Sequence, residues 1–241
     1  MRIPVAAAAL CAFHCAGLAN ADENDFIDAN ILSIFYHELG HAIIDLMQVP
    51  IFGQEEDAAD VAAVLMIDWF FDEDTAQSIA YDSAFGFVAD PTTLEDTVYW
   101  DVHGPDEQRF YNHVCIFYGA NPDVRDDLAE ELGLPQERAD TCPEEYTLAA
   151  ESWGAVFEEL EGNAGSGALR LSTDTSFSAA RISDILAPEI SQMNNDFSFP
   201  ETIDVRIEHC GEANAFYDPN DVSITFCIEF VDLLRGAFSA N

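Results

Sequence analysis

The chain has 241 residues, 49% of them hydrophobic, which is enough for one domain or two closely packed lobes around a sizeable core. Its formal net charge is −38, because 46 acidic residues face only 8 basic ones, all of them arginine. A surface of this charge repels nucleic acids and anionic membranes, so we exclude both as partners and assign the charge to solubility. The hydrophobic and aromatic content also argues against disorder.

Residues 1–21 are predicted to form a secretory signal peptide. Arg2 precedes the apolar stretch Val5–Leu10, and small residues lead to Ala19-Asn20-Ala21, an A-x-A cleavage pattern. The apolar part is too short to span a membrane. We therefore expect the mature chain to begin near Asp22, to be exported to a bacterial periplasm or beyond, and not to insert into a membrane.

The first predicted helix covers residues 25–48 and contains His37-Glu38-Leu39-Gly40-His41. Residues four apart share a helix face, so the two imidazoles can bind one metal ion while Glu38 reaches a water molecule on that ion. This H-E-x-x-H pattern is typical of zinc peptidases. The alternative is a pair of histidines with ordinary hydrogen bonds in a buried helix.

A second helix is predicted over residues 55–72, and the short turn before it brings its acidic first turn back beside the histidines. Catalytic zinc takes three protein ligands and keeps one open position, and we predict Glu56 as the third ligand. Asp60, one turn further on, can accept the remaining N–H of a ligating imidazole. Stabilisation of the helix N-terminus by its acidic residues is the competing explanation, and Asp45 is an alternative ligand.

These residues resemble the gluzincins, the thermolysin-like zinc peptidases in which a glutamate of E-x-x-x-D on the next helix completes H-E-x-x-H. More narrowly, the run from His37 to Asp60 resembles a family of bacterial metallopeptidases carried as a domain of unknown function, and the resemblance extends over most of the mature chain. It implies a Zn²⁺ ion held by His37, His41 and Glu56, with Glu38 as the general base.

A third helix is predicted over 75–89 and a fourth over 105–118, with Asp101 and His103 in the loop before it. Thermolysin-like enzymes stabilise the oxyanion with a histidine held by an aspartate, and the Asp101-x-His103 pair resembles that device. Arg109 and Tyr111 are reserve donors toward the substrate. The alternative for His103 is a solvated loop histidine.

Helices are also predicted over 122–133 and 143–160, and the Gly-rich segment 161–167 is the best candidate for a boundary. We therefore predict a helical zinc-binding lobe over 22–161 and a smaller α/β part over 168–241.

The smaller part is predicted to contain a helix at 177–193, a strand at 203–209, a hairpin at 210–227 and a closing helix at 228–238. Within the hairpin, Asn214-Ala215-Phe216-Tyr217 resembles the edge strand with which thermolysin-like peptidases pair an extended substrate, which implies substrate contacts for Asn214 and Ala215. In those enzymes the strand precedes the zinc helix, so a shared architecture requires a permuted order. The alternative is a hairpin with only a structural role.

Four cysteines remain after export, namely Cys115, Cys142, Cys210 and Cys227. An even number in an oxidising compartment favours disulfides. Three connectivities exist, of which sequence order favours Cys115–Cys142 with Cys210–Cys227. The absence of any C-x-x-C disfavours a zinc site built from these thiolates.

Together these features predict a mainly helical α+β fold, with a zincin-like pair of active-site helices and a small antiparallel sheet in permuted order. The predicted function is an exported zinc metallopeptidase that acts on peptides or proteins. Two alternatives stay open, namely a non-catalytic zinc-binding structural or interaction protein of the same fold and an acidic secreted binding protein without metal.

Overall fold

The computed structural model describes residues 22–88, 99–162, 165–174 and 176–240, so the predicted signal peptide lies outside the described residues. Helices make up the first part of the described chain. They are α1 (Glu23–Met47), α2 (Glu55–Phe70), α3 (Glu73–Val88), α4 (Asp106–Ala120), α5 (Pro122–Glu131), α6 (Gln136–Ala139) and α7 (Cys142–Glu161). The remainder mixes strands with helices. Its elements are β1 (Leu169–Thr173), α8 (Phe177–Asp196), β2 (Ile203–Glu208), β3 (Ala215–Asp218), β4 (Ser223–Cys227) and α9 (Phe230–Ala240).

Helix α1 is the central element of the fold. It packs against α2, α3, α8 and α9 and against strands β3 and β4, and its apolar side chains are buried on several sides, as expected of a helix surrounded by other elements. The helix begins after Asp22, whose carboxylate accepts the N–H of Asn24. It ends at Gln48, which takes the left-handed conformation with φ 54° and donates its N–H to the carbonyls of the last turn.

Helices α1 and α2 approach each other closely at a glycine. A Cβ atom on Gly40 would lie 3.2 Å from the Cα atom of Ala59 and 3.3 Å from the Cβ atom of Ala62. Small residues on both helices therefore allow this contact. The close approach places the first turn of α2 opposite the side chains that flank Gly40 on α1.

The four strands form a mixed sheet in the order β1-β2-β4-β3. Strand β2 is parallel to both β1 and β4, and only the β3–β4 pair is antiparallel. The prediction of an antiparallel sheet is therefore wrong outside the hairpin. The reason is topological, because α8 is a crossover between β1 and β2 and a crossover joins parallel strands. The sequence pattern does not predict strand β1.

Two disulfides join elements that are distant in sequence. Cys115–Cys142 ties α4 to the first residue of α7, and Cys210–Cys227 ties the β2–β3 loop to the end of β4. Both predicted pairings are confirmed. Among the described helices, none combines the length and the apolar character that a membrane span requires.

Candidate functional site

The α1–α2 hairpin brings three side chains of the predicted metal site to one point. His37 Nε2 and His41 Nε2 lie 3.2 Å apart, and each lies 3.2 Å from Glu56 Oε2. The two histidines are one helical turn apart on α1, and Glu56 is in the first turn of α2. The i, i+4 spacing on one helix and the close contact at Gly40 together produce this cluster.

The other nitrogen of each imidazole faces a carboxylate. His37 Nδ1 lies 2.8 Å from Asp60 Oδ1, and His41 Nδ1 lies 2.8 Å from Glu55 Oε1. The two Nε2 atoms therefore face each other and Glu56 Oε2, while each Nδ1 atom faces an outer carboxylate. Lone pairs and a carboxylate oxygen at such distances repel unless a proton or a cation lies between them.

A tetrahedral zinc ion fits this donor set. Ligand atoms about 2.0–2.1 Å from such an ion lie about 3.3 Å from one another, close to the spacings in the cluster. The field of the cluster also favours positive charge. Burial alone lowers the pKa of His37, but hydrogen bonds with Asp60 and Glu56 outweigh this effect and raise it to about 9. The same carboxylates would stabilise a divalent cation bound at this point.

His103 contacts the same carboxylate from the loop before α4. Its Nε2 lies 2.9 Å from Glu56 Oε2, and its Nδ1 lies 3.6 Å from Asp101 Oδ1. A second possible set of metal ligands consists of one atom each from His37, Glu56 and His103. These three atoms lie within 4.8 Å of one another, a spacing that a metal ion can bridge. The His103 side chain is 44% exposed, against 11% for that of His37.

Glu38 is a buried carboxylate beside this cluster, with 7% of its surface exposed. Burial raises its pKa, although the two neighbouring histidines counteract part of that effect. The backbone of Tyr217 in β3 hydrogen-bonds this carboxylate, and the Tyr217 hydroxyl donates to Asp45 Oδ2 at 2.8 Å. The edge strand is therefore attached to α1 at two points, one between the two histidines and one a helical turn after His41.

The register of β3 leaves part of its backbone unpaired toward the cleft. Cys227 N–H donates to the Asn214 carbonyl at 3.0 Å, so Ala215 and Phe226 form a non-hydrogen-bonded pair. The peptide groups of Ala215 consequently point to the open edge of the sheet, where its N–H meets the side-chain oxygen of Asn214 at 2.9 Å.

Arg109 and Tyr111, the two reserve donors on α4, are placed differently. Arg109 binds Asp60 through two hydrogen bonds, from Nε at 2.7 Å and from Nη2 at 2.8 Å, and its guanidinium lies 4.8 Å from the ring centre of Phe87. It therefore holds the carboxylate behind His37. Tyr111 is 39% exposed and lies outside the lining of both cavities at the cluster.

Two cavities meet at the cluster, and residues His37, Glu38, His103, Asn214 and Ala215 line both. One, of about 650 Å³, extends between α1, α3, α4 and α9 and is lined mostly by apolar surface. The other, of about 1010 Å³, is bounded by β3 and by the loop that carries Trp100. Together they provide room for an extended ligand on either side of the cluster of histidines and carboxylates.

Two further residues belong to the site although sequence reasoning gave them no role in it. The sequence pattern indicates only a helix-terminal acid at Glu55, yet this residue contacts His41, and Tyr217 reaches both Glu38 and Asp45. The adjacent pair Glu55-Glu56 could have predicted the Glu55 contact, because neighbouring residues in a first turn can contact both nitrogens of one imidazole. Nothing local indicates the Tyr217 contacts with Asp45 and Glu38, which join residues 172 and 179 positions apart.

The fold and the cluster define a mainly helical α+β protein with a histidine and carboxylate site suited to a divalent metal. The chain belongs to the family DUF4344, described as "Putative metallopeptidase", whose sequence profile matches residues 9–157 and 173–241. Membership of a metallopeptidase family implies a metal and a peptide substrate. No curated protein and no solved structure matches the chain.

Proposed function

We propose that this protein is an exported zinc-dependent metallopeptidase of the gluzincin type. The observation that carries the proposal is the convergence of His37 Nε2, His41 Nε2 and Glu56 Oε2 at mutual distances of 3.2 Å beside the buried carboxylate of Glu38. The two disulfides agree with export to an oxidising compartment.

The proposed zinc ligands are His37, His41 and Glu56. Asp60 and Glu55 hold the two imidazoles with Nε2 toward the ion, as outer partners of metal-bound histidines do. When bound, zinc would polarise the scissile carbonyl and make a water molecule acidic enough to attack at neutral pH. Three nitrogen and oxygen ligands at tetrahedral spacing favour zinc over calcium or magnesium, which prefer six or more oxygen atoms.

Glu38 is the proposed general base. Its carboxylate accepts the proton of the attacking water and passes it to the leaving amine, so one residue serves both steps. Burial raises its pKa, which brings the carboxyl group closer to the range in which a base can also return the proton. His103, oriented by Asp101, is the proposed donor to the carbonyl oxygen as that oxygen becomes negative.

The proposed substrate is an extended peptide or protein segment that pairs with the open edge of β3. The Ala215 carbonyl and the side-chain NH₂ of Asn214 supply the hydrogen bonds, and the two cavities take side chains on either side of the scissile bond.

The Glu38→Gln substitution tests this function. We expect the variant to retain one zinc per chain and to lose about 10²- to 10⁴-fold in peptide hydrolysis, because the amide cannot accept the proton. His209→Gln is the matched control, since His209 is 70% exposed and pairs with Glu229. Undiminished turnover in Glu38→Gln would refute the mechanism.

One observation favours the alternative of a non-catalytic zinc-binding protein. His103 supplies a further donor atom 2.9 Å from Glu56 Oε2, and structural zinc sites have four protein ligands. The two functions differ in one measurement, because a zinc-loaded protein that cleaves no peptide in a mixed-sequence library is structural.

A further inference from the structure

The three histidines around Glu56 share one arrangement. His37, His41 and His103 each direct Nε2 at Glu56 Oε2, at 3.2, 3.2 and 2.9 Å. Each also has a carboxylate on the side of Nδ1, supplied by Asp60, Glu55 and Asp101. His103 thus faces the same carboxylate oxygen as the two proposed ligands, and its ligand atom lies within 4.8 Å of those of His37 and Glu56.

We propose that His103 Nε2 is a fourth ligand of the zinc ion in the substrate-free protein, and that His103 leaves this position when a substrate enters. The inference rests on the proposed function in so far as the cluster must bind a metal. Four protein donors make a closed site, whereas hydrolysis requires an open position. A site with His103 bound is therefore a resting state, and its release couples catalysis to substrate binding.

The surroundings of His103 suit a ligand that can be released. Its side chain is 44% exposed, against 12% for that of His41, and its Nδ1 contact of 3.6 Å is longer than the 2.8 Å contacts behind the other two imidazoles. It lies in the loop between residues 99 and 105, whereas His37 and His41 are fixed in the central helix.

This loop is attached to α2 by two polar contacts within the described part of the chain. Gln54 Nε2 donates to the Asp101 carbonyl at 3.3 Å, and Glu56 meets His103. The neighbouring side chains of Trp100 and Val102 are 86% and 61% exposed, so these two side chains contribute little packing against a shift of the loop. Of these two contacts, the one with Glu56 holds the His103 side chain directly.

His103 also stands where a substrate must pass. It lines both cavities at the cluster, and so do His37 and Glu38. An extended peptide that occupies both cavities would cross the position of the imidazole. Substrate entry therefore displaces His103 from the cluster, and the freed side chain remains within reach of the scissile carbonyl.

Metal affinity tests the inference independently of activity. Zinc is titrated against a chromogenic chelator with the full-length wild-type protein, His103→Ala and the control His209→Ala. We expect His103→Ala to bind zinc at least about 10- to 100-fold more weakly, since even loss of an outer partner has that effect. His209→Ala is expected to match the wild type. Equal affinity in all three proteins would overturn the proposal.

A second measurement uses cobalt(II) in place of zinc and acetohydroxamate as a probe of the fourth position. The probe must displace His103 in the wild type but finds an open site in His103→Ala. If the open state is about a tenth of the wild-type population or less, the variant binds the probe at least about tenfold more tightly, as read from the visible cobalt bands. Identical spectra and probe affinities would contradict the proposal.

The outcomes separate the two hypotheses. Absence of stoichiometric metal from all three proteins refutes the proposed function and the inference together. Metal binding that depends on His103, without any peptide cleavage, sustains the inference and identifies a closed structural site. Peptide cleavage with metal binding that is independent of His103 leaves the proposed function standing and removes the inference.

Discussion

At the level of single residues, His113 makes stability depend on pH. This side chain is 4% exposed, and its Nε2–H donates to the Ala80 carbonyl at 3.1 Å. Burial lowers its pKa to about 4, while an unfolded histidine titrates near about 6.5. As the pH falls, His113 is therefore protonated in the unfolded chain at a higher pH than in the folded protein. The free energy of unfolding consequently decreases between about pH 6.5 and about pH 4.

Asp82 acts in the opposite direction over nearly the same range. Burial, together with the charge of Asp25, raises its pKa to about 6. Here the folded state binds the proton more tightly, so the protein gains stability as the pH falls through about 6. The two residues offset each other in the wild type, and only a comparison of variants separates them.

When the pH is lowered from about 7 to about 5, we expect the free energy of unfolding of His113→Gln to rise by about 2 kcal/mol relative to that of the wild type. The glutamine amide can still donate to the Ala80 carbonyl but does not titrate. Urea unfolding at the two pH values measures the difference, with His209→Gln as the exposed control. Parallel pH dependences in His113→Gln and the wild type would show that His113 titrates normally.

At the level of elements, the site depends on how closely α1 and α2 pack at Gly40. The Cβ of a larger residue would meet the backbone of Ala59 at 3.2 Å, which pushes α2 away and separates Glu56 from the two histidines. We expect Gly40→Val to lose about 1–3 kcal/mol of folding free energy and to bind zinc more weakly. Thermal unfolding with and without zinc gives both quantities.

Gly154→Val is the matched control for this substitution. A Cβ atom on Gly154, in α7, meets nothing within 4 Å. The control carries the same intrinsic change in helix propensity without the contact. Equal losses of stability and of zinc affinity in the two variants would mean that the α1–α2 contact does not position Glu56.

The same elements explain what the sequence could predict. The i, i+4 pair on α1 and the hairpin to α2 are local features, so the positions of His37, His41 and Glu56 follow from short-range spacing. The direction of β1 and the partner of Arg109 are not local. Arg109 meets Asp60 across 49 positions, and this contact supports the carboxylate beside His37. The Arg109 side chain also lines one of the two cavities, so its substrate contact stays a prediction.

At the level of the whole molecule, the 46 acidic residues outnumber the 8 arginines and leave a net charge of −38. Buried arginines serve internal pairs, as Arg109 does with Asp60 and as Arg125 does with Asp68 and Glu73. Most acidic side chains therefore face solvent without a nearby cation, and their mutual repulsion opposes the compact state.

Salt should stabilise this protein by screening that repulsion. The Debye length falls from about 30 Å at 0.01 M to about 3 Å at 1 M, so charges spread over the surface stop interacting. Between about 10 mM and about 500 mM NaCl we expect a gain of about 1–2 kcal/mol, or roughly 2–8 °C in Tm. Screening acts mostly at the low end of this range, whereas exclusion of salt from apolar surface grows steadily with concentration. A Tm that is flat below about 200 mM NaCl and rises only above it would assign the effect to exclusion and contradict the role of net charge.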